Sequence, residues 1–116
     1  MRVFLIAGEP SGDRLGAALM RGLGQLAPEV SFEGVGGPLM QAEGMNSLFP
    51  MEELSLMGIA EVLPRYPHLV RRKNQVADAV LAARPDALIT IDSPDFCLRV
   101  ARRVRARAPV RTVHYV

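Results

Sequence analysis

A chain of 116 residues, 49% hydrophobic and 22% charged, can bury one core and is too apolar to be disordered. It has no signal-peptide pattern at Met1-Arg2 and no apolar run long enough to cross a membrane, which predicts a soluble or peripheral protein. Cys97 is the single cysteine, so an internal disulfide is excluded and a reducing cytoplasm fits.

The formal net charge is only +2, yet it is unevenly spread. Arginines 84, 99, 102, 103, 105, 107 and 111 face only Asp86, Asp92 and Asp95 over the same stretch. No aromatic residue falls between Arg99 and Arg111, so they read as a solvated helix face and not as a nucleic-acid surface.

In chain order, residues 3–7 read as a buried strand, and Gly8-Glu9-Pro10-Ser11-Gly12-Asp13 as the turn that follows it. Leu15, Leu19, Leu23 and Leu26 then recur at helical spacing until Ala27-Pro28. Residues 30–35 form a second strand, closed by Gly36-Gly37-Pro38, and residues 39–43 a short helix ended by Gly44. Residues 46–55 lack periodicity and read as a connection with at most a short strand. Residues 54–63 are mostly apolar around Gly58, and a helix over 67–84 follows with Leu69, Val76 and Val80 on one face.

Residues 87–91 are rich in β-branched and aliphatic residues and too few for a helix, which predicts a strand buried on both faces. Asp92 stands at its carboxyl end. Ser93 or Asp92 can cap the next helix, Pro94 suits its first turn, and Asp95 complements its dipole. Phe96, Val100, Val104 and Ala108 stripe that helix, with Cys97 on the same stripe as a buried thiol, and Pro109 introduces a strand over 110–116. Alternating strands and helices predict a doubly wound parallel α/β sheet, Rossmann-like, with right-handed crossovers. An uncovered last strand suggests that residues 1–116 are one truncated domain of a larger protein.

Ligands of such sheets bind beyond the carboxyl ends of the strands, so the three loops there are the candidates. The first loop fits two readings equally: a phosphate- or sugar-binding turn, with Ser11 and Gly12 in contact with ligand, or a tight corner in which Ser11 caps and Asp13 answers the helix dipole. Its glycines at 8, 12 and 16 do not match the dinucleotide fingerprint, and no Gly-Lys-Ser/Thr ending marks a Walker loop. Gly37 in the second loop permits close approach to a ligand. At the third loop Asp92 and Asp95 have a capping role open to them; Asp92 is also placed to deprotonate a hydroxyl nucleophile. His68 and His114 lack partners at metal-ligand spacing and read as structural, so neither a metal nor a cofactor is expected. Met57 and Ile59 suit either a core or a lipid-facing surface.

Six segments carry a further signal: Gly8-Glu-Pro-Ser-Gly-Asp13, Gly34-Val-Gly-Gly-Pro-Leu-Met-Gln-Ala-Glu-Gly44, Met51-Glu-Glu-Leu54, Met57-Gly-Ile-Ala-Glu-Val-Leu63, Ile91-Asp-Ser-Pro-Asp-Phe96 and His114-Tyr-Val116. Together and in this order they closely resemble the amino-terminal part of bacterial lipid-A-disaccharide synthase. The resemblance implies the amino-terminal, acceptor-side half of a GT-B-type inverting glycosyltransferase, whose carboxyl-terminal nucleotide-sugar domain is absent here.

That family joins UDP-2,3-diacylglucosamine to 2,3-diacylglucosamine 1-phosphate, releasing UDP, at the cytoplasmic face of the inner membrane. The resemblance puts its required Asp at Asp92. Ser11, Gly12, Gly37 and Asp95 are then expected to line the substrate cleft, with Met57 and Ile59 against acyl chains or the bilayer. The rival expectation is a non-enzymatic flavodoxin-like binding or regulatory module.

Overall fold

The computed structural model describes residues 1–55, 66–92 and 94–115. Its elements run β1 (Arg2–Ala7), α1 (Pro10–Leu26), β2 (Ser31–Val35), α2 (Pro38–Ala42), α3 (Glu52–Ser55), α4 (Tyr66–Ala83), β3 (Ala87–Ile91), α5 (Pro94–Arg105) and β4 (Thr112–Tyr115). The four strands are parallel in the order β2-β1-β3-β4. This is the expected Rossmann-like α/β sheet. β1 and β3 are central and mostly buried, which is why their sequences are apolar apart from Arg2 and Thr90 and lack polar alternation.

The sheet separates two cores. Phe4, Ile6, Leu88 and Val35 meet Val76 and Val80 of α4 and Phe96, Cys97, Val100 and Val104 of α5. Val3, Leu5, Ala7 and Ile91 meet Ala17 and Met20 of α1 and Met40 of α2, with Met45 and Met51 filling in. Methionine's unbranched side chain suits the irregular space between two short loops and a helix.

The leucine stripe expected on α1 is not its inner face. Leu15, Leu19 and Leu23 are half-buried, and Leu26 is 85% exposed, whereas Gly12, Asp13, Gly16, Ala17 and Met20 are buried. The small residues win because α1 sits close to the sheet and to α2: a Cβ on Gly16 would lie 2.6 Å from Met40 Sδ. The connection over 46–55 forms one parallel bridge, Gly34 with Ser47, and the single helical turn α3.

α3 is tied to α4 by charge. Arg72 donates from Nε and Nη2 to the two oxygens of Glu53 at 2.9 and 3.1 Å, and His68 bonds the same carboxylate. The Arg72 bonds, joined by His68, hold the Glu53 carboxyl below its usual range despite partial burial. The Arg72 guanidinium also lies 4.6 Å from the Phe49 ring centroid.

Candidate functional site

Strand order reverses between β1 and β3, since the chain leaves β1 toward β2 on one side and later reaches β3 on the other. The loops leaving these two strands diverge to opposite faces and open a crevice at their carboxyl ends. Ser11 and Gly12 come from the β1 side of that crevice, and Asp92 from the β3 side.

The chain makes this meeting in stepwise fashion. Glu9 is the extended N-cap of α1 and Pro10 its first helical residue. Ser11 is thereby in the first turn, not at the cap, and its hydroxyl donates to Asp92 Oδ2 at 3.2 Å. Gly12 is buried beneath it. A Cβ there would stand 3.3 Å from both Ala7 Cβ and Asp92 Oδ2, so glycine lets the helix start rest on the ends of β1 and β3.

Asp92 turns out of β3 with φ +54°, a left-handed conformation that aspartate adopts more readily than most residues. Its amide donates to the Tyr115 carbonyl at 3.1 Å, which anchors the turn to β4. The residue is half-buried. Behind it, burial, reinforced by the Asp92 charge, pushes the Cys97 thiol up to about 12, so this cysteine stays protonated and inert as expected.

Gly37 lies at the end of the second loop, but it is buried and its close neighbour is a side chain. A Cβ there would fall 2.6 Å from Asp13 Oδ2 and 2.9 Å from Met51 Cε. Asp13, 3% exposed, accepts the amides of Gly37 and Met40 through Oδ1 at 3.0 and 2.9 Å and that of Leu39 through Oδ2 at 3.0 Å. The carboxylate expected to answer its own helix dipole therefore caps α2 instead. One signal was available for this: Gly37, at the N-cap of α2, has no side chain, so the cap must come from another element. Beside this corner is a cavity of about 430 Å³ bordered by Gly37, Pro38, Gln41, Ser47, Phe49 and Glu52.

The other expected positions are distributed differently. Asp95 is the second residue of α5; Met57 and Ile59 lie outside the described residues, as does Ser93. His68 bonds Glu53, and His114 Nδ1 pairs with Thr90 Oγ1 at 2.7 Å, both structural contacts. No group of three or more metal-ligating side chains occurs among the described residues, and no described helix is long and apolar enough to cross a membrane.

Fold and site together define a Rossmann-like α/β domain with an aspartate and a glycine-bearing helix start at its switch point. The chain belongs to the lipid-A-disaccharide synthetase family, whose sequence profile matches residues 3–116. It is similar to the lipid-A-disaccharide synthases of Ruegeria pomeroyi (67% identity over 116 residues, all of this chain and 29% of the relative) and Rhodopseudomonas palustris (61% over 117 residues, 99% and 30%). That of Pseudomonas paraeruginosa is 55% identical over 116 residues, again all of this chain and 30% of the relative. The chain thus spans about three-tenths of the length of these relatives.

Proposed function

We propose that this chain is the acceptor-side domain of an inverting glycosyltransferase of GT-B type that makes the lipid A disaccharide. The substrates are UDP-2,3-diacylglucosamine and 2,3-diacylglucosamine 1-phosphate; the products are lipid A disaccharide 1-phosphate and UDP. In the reaction the acceptor's 6-hydroxyl oxygen bonds the anomeric carbon of the donor. The bond from that carbon to the UDP oxygen breaks, and UDP leaves with the electron pair. Asp92 takes the hydroxyl proton. A general base so placed contributes about 10² to 10⁴ in rate.

The observation behind this role is the Ser11–Asp92 contact at the β1/β3 switch point. The Ser11 hydroxyl, bonded to Oδ2, orients the carboxylate toward the acceptor hydroxyl. Ser11 and Gly12 then act through Asp92 and the crevice floor, Asp95 takes part in substrate binding, and a domain beyond these residues binds UDP. The reaction belongs at the cytoplasmic face of the inner membrane, with Met57 and Ile59 meeting acyl chains or bilayer. Vesicle binding by the complete gene product and by its Met57→Glu variant tests that contact: weaker binding by an equally folded variant is expected, and unchanged binding contradicts it.

The catalytic reading is tested by Asp92→Asn in the complete gene product, with both diacylglucosamine substrates supplied. Loss of most turnover with the fold intact is expected; near-normal turnover would make Asp92 a corner residue only. The strand order β2-β1-β3-β4 also suits a flavodoxin-like binding module. A well-folded complete gene product without transfer activity would favour that second reading.

A further inference from the structure

Asp13 is the most deeply buried carboxylate among the described residues, at 3% exposure. A helix as short as α2 could be capped by a serine or asparagine at position 37. Instead the cap is supplied by a charged side chain from α1, 24 to 27 residues earlier, through three amide bonds of 2.9 to 3.0 Å. Three charge-assisted bonds offset the desolvation of the carboxylate, and they fix the β2–α2 corner against the start of α1.

The position in sequence is what gives this contact a consequence for the site. Ser11, Gly12 and Asp13 are consecutive: Ser11 bonds Asp92, Gly12 rests on Ala7 and Ile91, and Asp13 holds residues 37–40. One helical turn therefore sets the ends of β1, β2 and β3 relative to one another. Glycine at 37 belongs to the same device, since any Cβ there would press on Asp13 Oδ2 at 2.6 Å.

From these contacts we infer that Asp13 is a positioning residue for the transfer reaction: by clamping the β2–α2 corner to the first turn of α1, it fixes in place the turn that orients Asp92. This inference rests on the glycosyltransferase reading. Asp13→Asn keeps the volume and leaves one acceptor oxygen, but turns an NH2 group toward the donating amides.

The test compares the complete gene product with its Asp13→Asn variant, both diacylglucosamine substrates being supplied, at a temperature where circular dichroism shows equal folding. A fall in kcat of about ten- to a hundredfold, with KM for each substrate changing less than threefold, is expected from misplaced reacting groups. A carboxylate that only stabilises the fold would lower the melting temperature and leave kcat per folded molecule within fivefold of the parent; that result overturns the inference. Should Asp13→Asn fail to fold, Leu39→Pro removes one of the three donors in the first turn of α2, where proline is tolerated, and the same limits apply. If the parent itself transfers no sugar, the glycosyltransferase reading fails separately. The clamp is then read from the carboxyl carbon resonance of Asp92, which Asp13→Asn shifts if the two loops are coupled and leaves in place if they are not.

Discussion

Gly12 and Asp92 are in contact across the two central strands: a Cβ on Gly12 would stand 3.3 Å from Asp92 Oδ2, and Ile91 Cγ2 would lie 3.4 Å from the same position. Gly12→Ala must therefore shift the start of α1 or the carboxylate by a few tenths of an ångström. Overpacking of this kind costs about 1 to 3 kcal/mol. We expect a folded variant with turnover reduced roughly tenfold or more, measured on the complete gene product; unchanged turnover would show that the contact does not orient Asp92.

Gly34 faces a harder constraint. Its φ is +146°, and a Cβ would sit 1.7 Å from the Leu5 carbonyl oxygen in the adjoining strand. Neither rotamer choice nor helix movement relieves a backbone clash. Gly34→Ala should lose about 3 kcal/mol or more of stability, seen as a large drop in melting temperature, while Gly24→Ala, where nothing lies within 4 Å, should be neutral or slightly stabilising.

The state of Cys97 is checked by thiol labelling. With its thiol pushed up to about 12 by burial and by Asp92, the thiolate fraction at pH 8 is on the order of 10⁻⁴. A thiol reagent should modify Cys97 at the rate of unfolding and no faster. Rapid labelling of the folded protein would place the sulfur outside the α5 core.

The Glu53 cluster predicts a dependence on acidity. The Arg72 bonds, with His68, lower the Glu53 pKa from its ordinary 4.5, so the folded state binds this proton less readily than the unfolded chain. The contribution is complete above the ordinary value and is lost as pH falls through it toward the lower folded value. Its size should be about 1 kcal/mol or less for a partly exposed pair. Glu53→Gln should lower the melting temperature at pH 7, and the difference from the parent should shrink as pH falls below the ordinary carboxylate value; parallel curves on both sides of that value would contradict the assignment.

Much of the architecture was legible in the residues themselves. Apolar runs rich in aliphatic and β-branched residues mark β1 and β3 as buried strands, and the Asp92-to-Asp95 start signal locates the end of β3. The inner face of α1 was not legible, because leucine spacing reports hydrophobicity, whereas the close approach of α1 to α2 and to the strand ends selects Gly12, Gly16 and Ala17. Local spacing offers Asp13 only its own helix dipole, because the residues it caps are 24 to 27 positions away and local patterns do not reveal which loops a sheet brings together. Ser11 is legible as a cleft candidate; its bond to Asp92 depends on strand order, which local residue patterns do not determine.

The most direct measurement is disaccharide formation from UDP-2,3-diacylglucosamine and 2,3-diacylglucosamine 1-phosphate by the complete gene product and by its Asp92→Asn variant, matched for folding. Transfer by the parent, reduced about 10² to 10⁴-fold in the variant, is the predicted result. Equal transfer by both proteins would contradict the role of Asp92 at the centre of the site.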